Sequence, residues 1–193
     1  MLRIVLIRPG ATDFDEQHRI RGNLDVPLNQ EGLTEVARLI GELRDQRLEV
    51  IYTAPEQSAM ETAEPVAEAL GLKLKKLDRA QNMDLGLWQG MAVDEIRVNQ
   101  PKVYRQWQEM PQNVRPPEGE MLDQAEQRVR TAVTKLLKRH KEGVIGLVVA
   151  EPLASLVKQF ITQSELGDLW KAAAEHGRWD VLEVTPEVLA QPS

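Results

Sequence analysis

Two side chains able to hold an anion or move a proton stand directly after apolar, β-branched runs: Arg8 follows Leu2 to Ile7, and Glu151 follows Val144 to Ala150. A guanidinium at such a point can grip a phosphate or a carboxylate, whereas a carboxylate can act as base toward water, answer a cation or ligate a hard metal. Asp15 is a further carboxylate near Arg8 in sequence. Asp15 and Glu151 come from distant segments, and two oxygen ligands without a third do not define a metal site, so no metal is expected. The chain has no cysteine, which removes disulfides, thiolate nucleophiles and Cys-ligated metals. Its histidines are His18 in a loop, His140 at the end of a long helical pattern and His176 before the last strand. None is placed to act as a nucleophile, and a surface or structural role is expected for each.

The elements that must position these groups read as alternating strands and helices. Leu2 to Ile7 is a strand that ends in the turn-like RPG, which also argues against a signal sequence. Asn29 can cap a helix whose apolar face is Leu33, Val36, Ala37, Ile40 and Leu43. Strands at Val50 to Thr53 and Leu72 to Leu77 flank a helix from Pro55 to Leu70 that Gly71 stops. This β-α-β-α-β order predicts a parallel sheet. Met121 to Arg139 is an amphipathic helix, and Val144 to Ala150 is apolar enough to be a central strand buried on both faces. Helices are expected from Pro152 to Ile161 and from Glu165 to Ala174, then a last strand from Trp179 to Val184.

Residues 79–120, rich in Pro, Trp and Gln, break the alternation, with short helical pieces near Val93 to Val98 and Val103 to Trp107. They read as an insertion over one end of a single domain, residues 1–193, covering the pocket. Trp88, Trp107, Trp170 and Trp179 are expected in packing rather than as a stacking platform. In open α/β sheets ligands sit beyond the carboxyl ends of the strands, which directs attention to Arg8 to Gly10, Ala54 to Ser58, and Glu151 with Pro152. A net charge of −6 offers no broad cationic field for nucleic acid or anionic lipid, and no apolar run is long enough to span a bilayer. No nucleic acid, no membrane and a cytoplasmic location are therefore expected.

Several blocks carry a resemblance. RPGAT at Arg8 to Thr12, GNLDVPLNQEG at Gly22 to Gly32, TAPEQSAMETAEPVAEALGL at Thr53 to Leu72, QNMDLGLWQG at Gln81 to Gly90, RPPEGEM at Arg115 to Met121 and VVAEP at Val148 to Pro152 occur in order. They resemble R-H-G-E-T, G-x-x-D-x-P-L-T-x-x-G, S-S-x-x-x-R-A-x-E-T-A, R-E-x-D-F-G-x-W-E-G, R-P-P-x-G-E-S and V-V-S-H-G of the histidine phosphatases, the phosphoglycerate-mutase-like family. The resemblance implies a three-layer α/β/α sandwich with a mostly parallel sheet and an antiparallel last strand. It implies no cofactor.

In that family one histidine attacks phosphorus, a second supports the phosphate, two arginines neutralise it, and a glutamate protonates the leaving group. Here Pro9 stands at the nucleophile, Glu151 at the second histidine, Ser58 at the second arginine and Asn82 at the acid, while Arg8 keeps the first arginine. Ala11 and Asp15 take the places of a glutamate and an asparagine. Proline supplies neither a nucleophile nor an N–H. The implied ligand pocket is Arg8, Gly10, Thr12, Asp15, Arg21, Ser58, Asn82 and Glu151, with Arg19 and Arg21 as candidates for its mouth. The implied protein is a catalytically inactive relative that binds an unidentified protein or small molecule. The alternative is an altered phosphatase or hydrolase in which Arg8 holds an anion and Glu151 or Asp15 is the base. Glu151, before Pro152, can cap a helix N-terminus, pair with Arg8, or do both. A bidentate Arg8–Glu151 pair is the expected substitute for the bound phosphate.

Overall fold

The apolar runs form one five-stranded sheet in a computed structural model that describes residues 1–190; the last three residues of the expected 1–193 domain lie outside the described residues. Strands β1 (Leu2–Ile7), β2 (Val50–Thr53), β3 (Lys73–Lys76), β4 (Gly143–Val148) and β5 (Trp179–Glu183) are arranged β3-β2-β4-β1-β5. The first four are mutually parallel, and β5 runs antiparallel to β1. The expectation of a central strand holds at β4, where every residue after Gly143 is buried. At the other extreme β3 is an edge strand with its lysines exposed, a composition that discourages further strand pairing.

Helices α1 (Asp13–Glu16), α2 (Gln30–Leu43), α3 (Gln57–Leu70), α4 (Val93–Asn99), α5 (Pro101–Glu109), α6 (Leu122–Arg139), α7 (Leu153–Thr162), α8 (Leu169–Ala172) and α9 (Pro186–Leu189) complete the chain. The crossovers from β1 to β2 to β3 step one way along the sheet, and those from β3 to β4 to β5 step back. Right-handed connection then puts α2 and α3 on one face and α6 and α7 on the other, and each pair packs together. The result is the three-layer α/β/α sandwich.

Local chemistry sets the helix ends. The Asn29 side chain accepts from Gly32 N at 2.9 Å, as its cap position predicts. The face of α2 is rotated from the expected one: Val36, Leu39 and Leu43 are buried, whereas Leu33 is 52% exposed and Ala37 is also exposed. The helix expected over Glu165 to Ala174 shortens to α8, because Gly167 takes a positive φ of 76° and the Asp168 carboxylate accepts from Trp170 N and Lys171 N, starting a new helix there. β4 likewise stops at Val148, and Val149 to Pro152 turn into the site instead of extending the strand to Ala150. The short α1 and α9 carry no clear apolar period and were not foreseen.

Residues 79–120 contain α4, α5 and three short 3-10 turns. Trp88 meets Trp107 edge-to-face at 5.6 Å and Trp170 at 5.7 Å, and Tyr104 stacks on Trp170 at 5.1 Å. These three tryptophans are nearly fully buried and pack against one another. Trp179 stands apart, its indole N–H donating to Glu42.

Candidate functional site

β1 and β4 are neighbours in register, with Ile7 opposite Val148, so the residues leaving their carboxyl ends converge. Arg8 Nε donates to Glu151 Oε1 at 3.0 Å, and Arg8 Nη1 donates to Asp180 Oδ2 at 2.7 Å. Glu175 Oε2 lies 3.3 Å from Arg8 Nε. The expected ion pair is present, but it is not bidentate, because Asp180 takes the second arm of the fork. Asp180 reaches it through the antiparallel register, which sets it opposite Leu6 at the end of β1.

The Arg8 and Glu151 side chains are 5% and 1% exposed. Burial opposes charge on Arg8, but Glu151 and Asp180 outweigh it and hold the guanidinium above its usual pKa. Burial also pushes the Glu151 carboxyl above the usual range, against the lowering effects of Ser155 and Arg8. The second Glu151 oxygen accepts from Ser155 N at 3.1 Å and Ser155 Oγ at 2.6 Å. Glu151 thus satisfies the first turn of α7 and pairs with Arg8, the two roles open to it from sequence.

The backbone after Arg8 is equally occupied. Gly10 N donates to Thr62 Oγ1, Ala11 N to Glu35 Oε1 and Thr12 N to Asp15 Oδ2, at 3.0, 3.2 and 2.7 Å. Pro9 offers no N–H, and its carbonyl accepts from Gly177 N. Gly10 is needed for close packing: a Cβ there would lie 2.7 Å from the Gly32 carbonyl oxygen at the start of α2. Asp15 Oδ2 further accepts from Thr12 Oγ1 at 2.9 Å and Arg21 Nη1 at 3.3 Å.

Asn82 is buried and acts as a tie. Its amide nitrogen donates to the carbonyls of Gly22 and Glu151, each at 2.9 Å, while its amide oxygen accepts from Met83 N. Its own backbone N–H donates to the Glu56 carboxylate. Burial raises the Glu56 pKa, with the Asn82 hydrogen bond opposing. Ser58 is buried in α3, where its carbonyl accepts from Thr62 Oγ1.

The expected pocket set is divided. Arg8 and Glu151 line a polar groove of about 490 Å³ with Ser155, Lys158, Glu175 and Asp180. Asp15, Arg19, Arg21 and again Glu151 line a second cavity of about 300 Å³. Asn82 faces a third hollow beside Asn23, Glu118 and Arg128. Pro9, Gly10, Thr12 and Ser58 line none of these three. The histidines are peripheral to Arg8: His140 Nε2 contacts Tyr52 Oη, His176 Nδ1 contacts Glu35, and His18 lies on the second cavity. Glu31, Glu35 and His176 bring ligand atoms within 4.8 Å of one another, but Glu35 already answers Ala11 and His176.

Sequence reasoning missed Glu175, Asp180, Glu56 and Glu35. For Asp180 an antiparallel last strand signals only that its start lies at the site's end of the sheet, not which residue falls opposite Leu6. Glu35 and Glu56 sit in ordinary helical stretches that nothing local sets apart.

This sheet order, with charged residues gathered beyond the ends of β1 and β4, defines a phosphoglycerate-mutase-like α/β protein. The chain belongs to the histidine phosphatase superfamily (branch 1), which it matches over residues 4–190. It is similar to phosphoserine phosphatase 1 of Hydrogenobacter thermophilus, with 28% identity over 185 residues covering 95% of this chain and 87% of that protein. It is 31% identical over 159 residues to the bifunctional protein Rv2228c of Mycobacterium tuberculosis, covering 81% of this chain and 43% of that longer protein. Among solved structures, YhfR of Bacillus stearothermophilus superposes with a TM-score of 0.82 at 28% identity, covering 96% of this chain and 93% of that one.

Proposed function

We propose that this chain is a catalytically silent histidine phosphatase relative with a binding or scaffolding role, its phosphate site closed from within. The observation that carries this reading is that the anion donors after β1 already serve protein acceptors. Arg8 is engaged by Glu151, Asp180 and Glu175, and the N–H groups of Gly10, Ala11 and Thr12 are bonded to Thr62, Glu35 and Asp15. Phosphoryl transfer needs donors preorganised for an oxyanion, and here a phosphate would have to displace carboxylates. Pro9 removes the covalent route.

The hydrolase alternative is less well supported, since the Arg8 charge is already answered by carboxylates, and Glu151 is tied to Ser155 and Arg8. Lack of cysteine and the acidic balance support a cytoplasmic location without nucleic-acid partners. Among the described residues no helix is long and apolar enough to cross a membrane.

A phosphate-monoester screen tests the reading, run on wild type and on a Pro9→His, Ser58→Arg, Asn82→Glu, Glu151→His revertant. Wild type is expected to show no turnover and no acid-labile phosphoprotein, and the revertant to gain phosphohistidine. Wild-type turnover abolished by Arg8→Ala would overturn the reading.

A further inference from the structure

The cavity of about 300 Å³ above Glu151 differs in character from the polar groove on the other side of Arg8. Much of its wall is apolar, including Phe14, Ile20, Leu85, Trp107, Leu169 and Trp170. The two indoles are held in place before any ligand arrives: Trp170 is stacked on Tyr104 and donates its N–H to the Tyr104 carbonyl at 2.9 Å, and Trp107 is braced by Trp88. Preformed aromatic walls reduce the ordering cost of binding.

The floor has the wrong charge for a phosphate. The charged residues that line the cavity are Arg19 and Arg21 against Asp15, Asp94 and Glu151, two positive charges against three negative, a surplus of one negative charge. A phosphate dianion would be repelled there, whereas an ammonium group would be attracted. Asp15 also offers an acceptor. Its side chain is 9% exposed, and its contacts with Thr12 and Arg21 all fall on Oδ2, leaving Oδ1 for a ligand's donor. At the mouth Arg19 is committed to the Gly90 carbonyl and to Gln17, and Asp94 pairs with Arg97.

We propose that this cavity binds a phosphate-free aromatic molecule carrying a hydrogen-bond donor, with a protonated arylalkylamine the favoured class. The inference rests on the reading of the chain as catalytically silent and names the ligand chemistry of the same site. The volume, at the small end for ligand cavities, suits a single ring system on a short alkyl arm. The ring lies against the wall that Trp107 and Trp170 form together, and the amine reaches Asp15.

The test is calorimetric titration of the purified full-length chain with 2-phenylethylamine, its neutral isostere 2-phenylethanol, and phenyl phosphate. The amine is expected to bind at least tenfold more tightly than phenyl phosphate, with the alcohol between them. Ala174→Trp fills the cavity from an exposed position and should weaken the amine and the alcohol at least tenfold while leaving the melting temperature near wild type. Asp15→Asn should weaken the amine and spare the alcohol. Phenyl phosphate binding as tightly as the amine would overturn the proposal. So would unchanged amine binding in Ala174→Trp, or no amine binding up to about 10 mM, a concentration at which even a weak fragment-sized contact registers. Hydrolysis of phenyl phosphate by wild type would instead overturn the silent reading, whatever the amine does.

Discussion

A guanidinium that is 4% exposed needs its charge answered, and the identity of the answering groups decides what the site can bind. At Arg8 those groups are carboxylates of the same chain, so an incoming anion meets a charge that is already answered. Removing the cation by Arg8→Met leaves Glu151 buried beside Asp180 and Glu175, and should cost about 3–5 kcal/mol of stability. Glu151→Gln keeps an acceptor for Ser155 and should cost less. The double mutant should show coupling of about 1–3 kcal/mol in urea denaturation, and independent effects would contradict direct contact. The Arg8–Glu151 pair was legible in the sequence because the family resemblance sets both residues around one phosphate, at the ends of two apolar runs that read as strands of one sheet. The pairing of Arg8 with Asp180 was not, because it depends on which residue of β5 falls opposite Leu6, a register set by tertiary packing.

Elements are joined to this site by single buried side chains. Glu56, just before α3, holds the backbone of Asn82, and Asn82 holds the carbonyls of Gly22 and Glu151. Because burial raises the Glu56 pKa, the native carboxyl keeps its proton to higher pH than the unfolded chain does. The native state then binds more protons between the two values, and its stability falls as pH rises through that window, starting from the ordinary carboxylate range. Glu56→Gln retains the acceptor and removes the titration. Its melting temperature relative to wild type should therefore climb from pH 4 to pH 7, and a flat difference would contradict the assignment.

The segment before β5 is fixed similarly. Gly177 has φ +58°, and a Cβ there would collide with the Glu35 carboxylate, so Gly177→Ala should destabilise by at least about 1 kcal/mol in thermal unfolding. Strands and long helices were readable from apolar periodicity. The shortened α8 was not, because Gly167 and Asp168 restart a helix inside a stretch whose periodicity looks continuous. The rotated face of α2 has a similar cause: Leu33 and Ala37 match the helical period, but the sheet takes up Leu39 instead.

For the whole molecule, the sheet order brings β1, β4 and β5 together, so three segments far apart in sequence meet around one cation. Family membership was legible from the ordered blocks, and the alternation of strands and helices gave the layers. The division of the expected pocket into two cavities was not legible, since it follows from where the fold sets Glu151, which lines both. An acidic chain with Arg8 already paired to carboxylates should make a poor host for oxyanions. The most direct measurement is calorimetric titration with vanadate of wild type and of a Glu151→Gln, Asp180→Asn variant, which keeps side-chain size while releasing Arg8 from two charges. Wild type should give no binding heat at micromolar concentrations, and the variant should gain at least tenfold in affinity. Micromolar binding by wild type, lost on Arg8→Ala, would contradict a site closed from within.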